Sequence, residues 1–244
     1  MFPQANLRIE LITSPDNPAL KEVRKLRSVA ARARSSSFVA EGEDLLAMAD
    51  QHGWEPLRRL CAAGSGLPGD EVEPDLLASV SALGSGTRAL AIYERRFSAV
   101  PADGVVLHLH GLADPGNVGT CIRSAHALGA VAVTVGPGTA DPFGPKAVRA
   151  SMGSIFALPV APCEDPLALR GHHISLATRG TDVPVGPVHG SAVVIVGAER
   201  EGLPDEIVEG SDSAWTIPIA DGAESLNAAT ASAIALYLAI RISR

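Results

Sequence analysis

Apolar residues along this chain fall into two kinds of pattern, and the kind changes part-way along. In the later part, VVLHLHGL, AVAVTVG, ISLAT, AVVIVG and AWTIPI are nearly continuous apolar runs. Such runs predict strands buried on both faces, as in a parallel sheet. Between the first two lies NVGTCIRSAHALG, a helical pattern, and the chain closes on LNAATASAIALYLAIRISR, a helix apolar nearly all round, as a doubly covered helix should be. The alternation of strand and helix predicts an α/β domain. In the earlier part, SPDNPALKEVRKLRSV opens with turn formers and then repeats Leu20, Val23 and Leu26 at helical spacing. FVAEGEDLLAMADQHG reads as a strand running into a helix that stops at Gly53. LRRLCAAG and TRALAIYERR add strands, and GSGLPGDEVEPDLLASVSALGSG between them reads as a loop followed by a helix. Pro and Gly punctuate SAVPADG, which predicts a small mixed α/β domain at 1–98 and a parallel-sheet domain at 104–244.

Composition narrows the class. The chain is 46% hydrophobic, 19% charged and only 4% aromatic, so the cores are built from Ala, Val, Leu and Ile. No stretch of about 20 apolar residues is free of charge or Pro, which excludes a membrane-spanning helix. The start, MFPQANLRIE, lacks a secretion-signal layout, so a cytoplasmic protein is expected. Cys61, Cys121 and Cys163 are odd in number and far apart, which suggests neither a disulfide framework nor a zinc site. His172 and His173 are adjacent but belong to no HExxH motif, and no metal is expected. A net charge of −7 taken as a sum opposes nucleic-acid binding, yet KEVRKLRSVAARAR, residues 21–34, gathers Lys21, Arg24, Lys25, Arg27, Arg32 and Arg34 against Glu22 alone. At helical spacing these form one basic face, either an RNA-docking surface through Arg24, Arg27 and Arg34 or a solvated face that maintains solubility.

Ligands of open parallel sheets gather at the carboxyl ends of strands. Three loops there carry the candidate chemistry. In GLADPGNVGTCIRSAHALGA, Pro115, Gly116 and Gly119 shape a tight turn, Asn117 precedes a helix and Arg123 follows. In VIVGAEREGLPDEI, Gly197 and Gly202 let backbone pass close to a ligand on either side of Glu199. In IPIADGAESLNAATA, Ser225 and Asn227 stand at a helix start. A dinucleotide-dependent oxidoreductase, suggested by VGPGTADPFGP, lacks a GxGxxG after the first strand, and a serine hydrolase would need a GxSxG elbow that does not occur.

Taken together, DPGNVGTCIRSAHALGA, DPFGPKAVRASMGSIFALPV, GAEREGL and IPIADGAESLNAATASAIAL resemble, in order and spacing, the motifs of the SpoU (TrmH-like) family of S-adenosylmethionine-dependent RNA 2′-O-ribose methyltransferases. The resemblance implies a trefoil-knotted, SPOUT-type parallel-sheet domain that pairs into a homodimer, preceded by a ribosomal-protein-like RNA-binding domain. It implies a methyl-donor pocket at Gly197, Ala198, Glu199, Gly202, Ile217, Ile219 and Leu226, with Thr178 as a further wall, and a polar site of Asn117, Arg123, Glu199, Ser225 and Asn227. Arg123 would hold the nucleotide and stabilise a developing alkoxide, with transient deprotonation as the other option. Arg149 and Ser151 would contact the nucleotide or organise the site, and Lys146 is read as surface charge. Ribosomal RNA is the favoured substrate, with transfer RNA or a catalytically silent RNA-binding role as alternatives.

Overall fold

The computed structural model describes residues 11–82, 86–182, 188–222 and 225–240, and for 178–182 the backbone alone. It divides into two compact units, Met1–Arg95 and Arg96–Arg244.

In the first unit the expected basic helix is two helices, α1 (Pro18–Lys25) and α2 (Val29–Ser35). Asn17 caps the start of α1, its side chain accepting from the Ala19 amide at 2.9 Å. The break after α1 is held by Arg32, which is 2% exposed and donates from one guanidinium nitrogen to the carbonyls of Leu26 at 2.8 Å and Arg27 at 2.9 Å. One of the six cations assigned to a basic face is therefore buried, closing the end of a helix. The unit continues through β1 (Ser37–Glu41), α3 (Glu43–Gln51), β2 (Arg58–Ala62), β3 (Asp70–Val72), α4 (Pro74–Val80) and β4 (Ala89–Glu94). The strands form one sheet in the order β1-β4-β2-β3, antiparallel except where β3 joins β2. Leu20, Val23 and Leu26, the spacing read from the sequence, pack with Leu60, Leu77 and Leu90 in its core.

The second unit runs β5 (Val105–Leu109), α5 (Pro115–Leu128), β6 (Ala132–Val135), α6 (Pro145–Ala150), α7 (Ser154–Ala157), β7 (Val160–Pro162), β8 (His172–Asp182), β9 (Ala192–Val196), α8 (Asp205–Gly210), β10 (Ser213–Thr216) and α9 (Ala228–Ile240). Every strand pair is parallel, in the order β10-β8-β9-β5-β6-β7. All five residues of β5 and of β9 are buried, which is why their apolar runs do not alternate with polar residues. Val193 and Ile195 pack against Leu203 and Ile207 on one face. Alternation along the strand turns Val194 to the other face, where α9 and α5 lie. From β5 the chain builds outward through β6 and β7, then places β8, β9 and β10 on the opposite side, so its direction reverses between β5 and β9. In open parallel sheets ligands bind outside the carboxyl ends of the strands at such a reversal, and here the register pairs Leu109 with Val196 so that both middle strands end level. Among the described residues no helix is long and apolar enough to cross a membrane, and no cluster of three or more His, Cys, Asp or Glu could hold a metal.

Candidate active site

Three side chains from the three loops meet at the ends of β5 and β9. Asn227 stands at the amino end of α9, where its Oδ1 accepts from the Ala229 amide at 2.9 Å and from Thr230 at 3.3 Å. Its Nδ2 donates to Asn117 Oδ1 at 3.0 Å, and Asn117 Nδ2 donates to Glu199 Oε1 at 2.6 Å. The direction of this chain is fixed at both ends. Backbone N–H groups at one end need an acceptor, and the carboxylate at the other needs a donor, so neither amide can turn over without breaking at least two bonds. Residues separated by 82 and by 110 positions are thereby joined.

Each loop is shaped by its own chemistry. Asp114 caps α5, accepting from the Gly116 amide at 2.6 Å and from Lys146 Nζ at 2.9 Å, and these bonds, with Lys146 first, pull its carboxyl below the usual range. Asn117 therefore lies inside the first turn of α5. Lys146, read as surface charge, braces that cap. Gly119 is not part of the turn as expected: a Cβ there would lie 2.2 Å from the Ala147 carbonyl and 2.7 Å from the Ala150 methyl, so its bareness lets α6 cross α5 closely. Cys121 Sγ donates to Ser232 Oγ at 3.4 Å in the buried contact of α5 with α9, and burial lifts the thiol pKa to about 11. The second loop closes on itself, Ala198 and Gly202 exchanging amide-to-carbonyl bonds of 3.1 and 3.0 Å. A Cβ on Gly197 would lie 2.3 Å from the Gly202 carbonyl carbon, so the space it would enter is filled by the loop's own backbone and not by a ligand. Beside Gly202, at φ +72°, the corresponding space is open. In the third loop Ile217 is half-buried, while Ile219 and Leu226 leave 40% and 38% of their surface to solvent.

Residues 104–237 match the SpoU rRNA Methylase family. The chain belongs to this family. It is 30% identical over 241 residues to the 23S rRNA (guanosine(2553)-2'-O)-methyltransferase RlmP of Bacillus subtilis, covering 93% of this chain and 97% of that protein. Among solved structures it resembles an AdoMet-bound rRNA methyltransferase from Sinorhizobium meliloti, with a TM-score of 0.85, 29% identity, and coverage of 95% of this chain and 97% of that one. It also resembles the SpoU methyltransferase AviRb from Streptomyces viridochromogenes in complex with AdoMet, with a TM-score of 0.80, 26% identity, and coverage of 92% and 97%.

Of the residues expected in the SpoU site, Asn117, Glu199 and Asn227 form the chain above, and Ser225 and Leu226 are exposed next to it in sequence. Arg123 stands elsewhere. Six residues beyond Asn117 on α5, it is turned about 120° around the helix, exposed, and without a hydrogen bond or ion pair among the described residues. Of the two roles read for Ser151, contact with a nucleotide is closed, because it is fully buried and its Oγ donates to the Val148 carbonyl at 2.7 Å, while organising the site is left open. Arg149 is exposed. Thr178 lies on the backbone of β8, with its side chain outside the described residues. Sequence reading missed Thr139, whose Oγ1 donates to the Leu109 carbonyl at 2.8 Å and accepts from the Gly111 amide at 3.0 Å, bracketing the end of β5. It lies in VGPGTADPFGP, where the glycines and prolines drew attention and the hydroxyl did not.

Proposed function

We propose that this chain transfers a methyl group from S-adenosylmethionine to a ribose 2′-hydroxyl of ribosomal RNA. The observation that carries the reading is the Asn227–Asn117–Glu199 chain, a directed polar array at the switch point of a parallel sheet. Membership of the SpoU family supports it, as do near full-length relatives whose names state methylation of 23S rRNA at a 2′-oxygen or AdoMet bound to an rRNA methyltransferase.

S-adenosylmethionine, when bound, supplies a methyl group on a positively charged sulfur. Ile217, Ile219 and Leu226 would flank its adenine, with backbone of Gly197, Ala198, Glu199 and Gly202, and Thr178, around the edge. The Ala198 amide and carbonyl are already committed to Gly202, so its share of that pocket is to hold the loop shut. Glu199, aimed by Asn117, has a second carboxylate oxygen with which to receive the proton of the ribose hydroxyl. Arg123, turned away from Asn117 on α5, holds the nucleotide phosphate, and as guanidinium groups stay protonated in proteins and are poor proton acceptors, the hydroxyl proton is left to Glu199. Ser225 completes the polar site.

Residues 104–244 form the methyltransferase domain, trefoil-knotted and paired into a homodimer, and 1–98 dock the RNA, in the cytoplasm where ribosomal RNA is made. Support for the dimer comes from α9, AATASAIALYLAI, which carries no charged residue yet leaves Tyr237 62% exposed. Transfer of tritiated methyl to undermodified 23S rRNA tests the activity. Incorporation that survives 2′-deoxy substitution of the target nucleotide would place the methyl on a base and overturn the ribose assignment. No incorporation into any RNA, with S-adenosylhomocysteine still bound, would leave a silent binding protein.

A further inference from the structure

Two residues other than glycine have positive φ among those described, Ser36 at +51° and Met152 at +48°. Ser36 is small, polar and ends α2, an ordinary place for the left-handed conformation. Met152 is different. It follows Ser151, the residue that caps the end of α6, at a position where helices usually place glycine because a Cβ is disfavoured there. Its thioether side chain is also directed outward, with 48% of its surface in solvent. The chain thus holds a large apolar side chain in an unfavourable backbone conformation and buries only part of it. Strain that is retained in this way marks places where the side chain has work to do.

The neighbours of Met152 indicate what that work is. Helix α5 lies along the segment that contains it: Gly119 meets Ala147 and Ala150, and further along His126 Nδ1 lies 3.1 Å from Ser154 Oγ. Between these two contacts stand Arg123 on α5 and Met152 on the facing segment, both exposed. Arg149, also exposed, gives its carbonyl to the Met152 amide at 3.1 Å. An apolar, polarisable side chain on a segment that carries one exposed guanidinium and faces the helix that carries another suits one nucleotide of an RNA strand, with cations for its phosphates and an apolar group for the base.

We propose that Met152 is a base-contacting residue: it packs on the nucleobase at or beside the methylated ribose, while Arg123 and Arg149 hold the flanking phosphates. This rests on the methyltransferase reading above. It adds a substrate contact that belongs to neither the donor pocket nor the Asn227–Asn117–Glu199 chain.

The decisive variant is Met152→Gly, because glycine relieves the backbone strain and removes the contact in one step. With undermodified 23S rRNA as the probe, KM should rise about tenfold or more and filter-binding affinity should fall in parallel. The melting temperature should hold or rise, and S-adenosylhomocysteine affinity by calorimetry should stay within about twofold. Met152→Leu, which keeps an apolar side chain, should retain most of the affinity. A merely structural Met152 would give a different result, with stability and donor affinity falling together in Met152→Gly and RNA affinity tracking them, and that would overturn the proposal. So would RNA affinity and KM within about twofold of the parent. Loss of activity accompanied by dissociation in sedimentation would assign Met152 to a contact between two copies and equally overturn it. Should the parent protein bind this RNA without methylating it, the functional reading fails while filter binding still decides for or against Met152.

Discussion

The side-chain amide of Asn227 caps α9 with its oxygen and reaches Asn117 with its nitrogen, so aspartate at this position keeps the first role and loses the second. Asn117 would then have to turn its nitrogen toward the new carboxylate and its oxygen toward Glu199, breaking the 2.6 Å bond that aims the latter. Asn227→Asp should therefore melt within a few degrees of the parent while its kcat falls about 10- to 100-fold, the worth of a charge-assisted hydrogen bond of roughly 1.5–3 kcal/mol. Asn227→Ala should lose stability as well, by about 1 kcal/mol for the missing cap. Steady-state kinetics beside thermal melts separate the two. At Gly197 the structure replaces the reason read from the sequence for a bare backbone. The glycine was read as leaving room for a ligand, but the 2.3 Å approach of Gly202 shows that the loop itself fills the space. Gly197→Ala should accordingly lower the melting temperature and weaken S-adenosylhomocysteine at least tenfold by calorimetry, whereas alanine at a position facing an empty pocket would be tolerated when no ligand is present.

Among the elements, β5 carries a histidine in its buried run. His108 is fully buried, with Nδ1 2.9 Å from Thr134 Oγ1, and burial, aided by nearby His110, lowers its pKa to about 4. A histidine whose folded pKa is depressed binds its proton later than the unfolded chain does. Its contribution is thus intact above about pH 6.5, shrinks as pH falls toward 4, and costs up to roughly 2 kcal/mol of stability by pH 5. Urea titrations at pH 7 and 5 should show that loss in the parent and a smaller one in His108→Asn, which keeps a hydrogen-bonding atom near Nδ1 and does not titrate. Legibility in the sequence followed length and burial. The strands β5, β6 and β9 declared themselves because both their faces are covered, and α5 and α9 because each runs for three turns or more. β3 and β7, of three residues each, and the short α6, α7 and α8 do not span enough residues for any period to appear. The basic helix failed for another reason: Arg32 folds back on carbonyls of its own chain, a choice that charge patterning cannot register.

For the molecule as a whole, that break redistributes the work of the basic segment. Arg24 and Arg27 each give one nitrogen to a carbonyl, of Pro15 and of Ser81, whereas Arg34 is exposed. Arg34→Ala should lower the salt slope of RNA binding by about 0.7–0.9 and leave the melting temperature alone. Arg32→Ala should do the reverse, leaving buried carbonyls without a donor. Filter binding across a salt series, with melts of both variants, checks the contrast. The candidate site has a further property that follows from where its parts lie in the chain. The bonds that join it close sequence gaps of 82 and 110 residues, so the first waits until β9 has joined β5 and the second until α9 has docked on α5. Local helices can form in microseconds, but contacts this distant wait on the slow closure of large loops. During refolding from urea, helical circular dichroism should therefore return well before the capacity to bind S-adenosylhomocysteine. On a growing chain the order is stricter still: the array stays incomplete until α9 has emerged, so a partly made copy that lacks α9 has no complete site to act with.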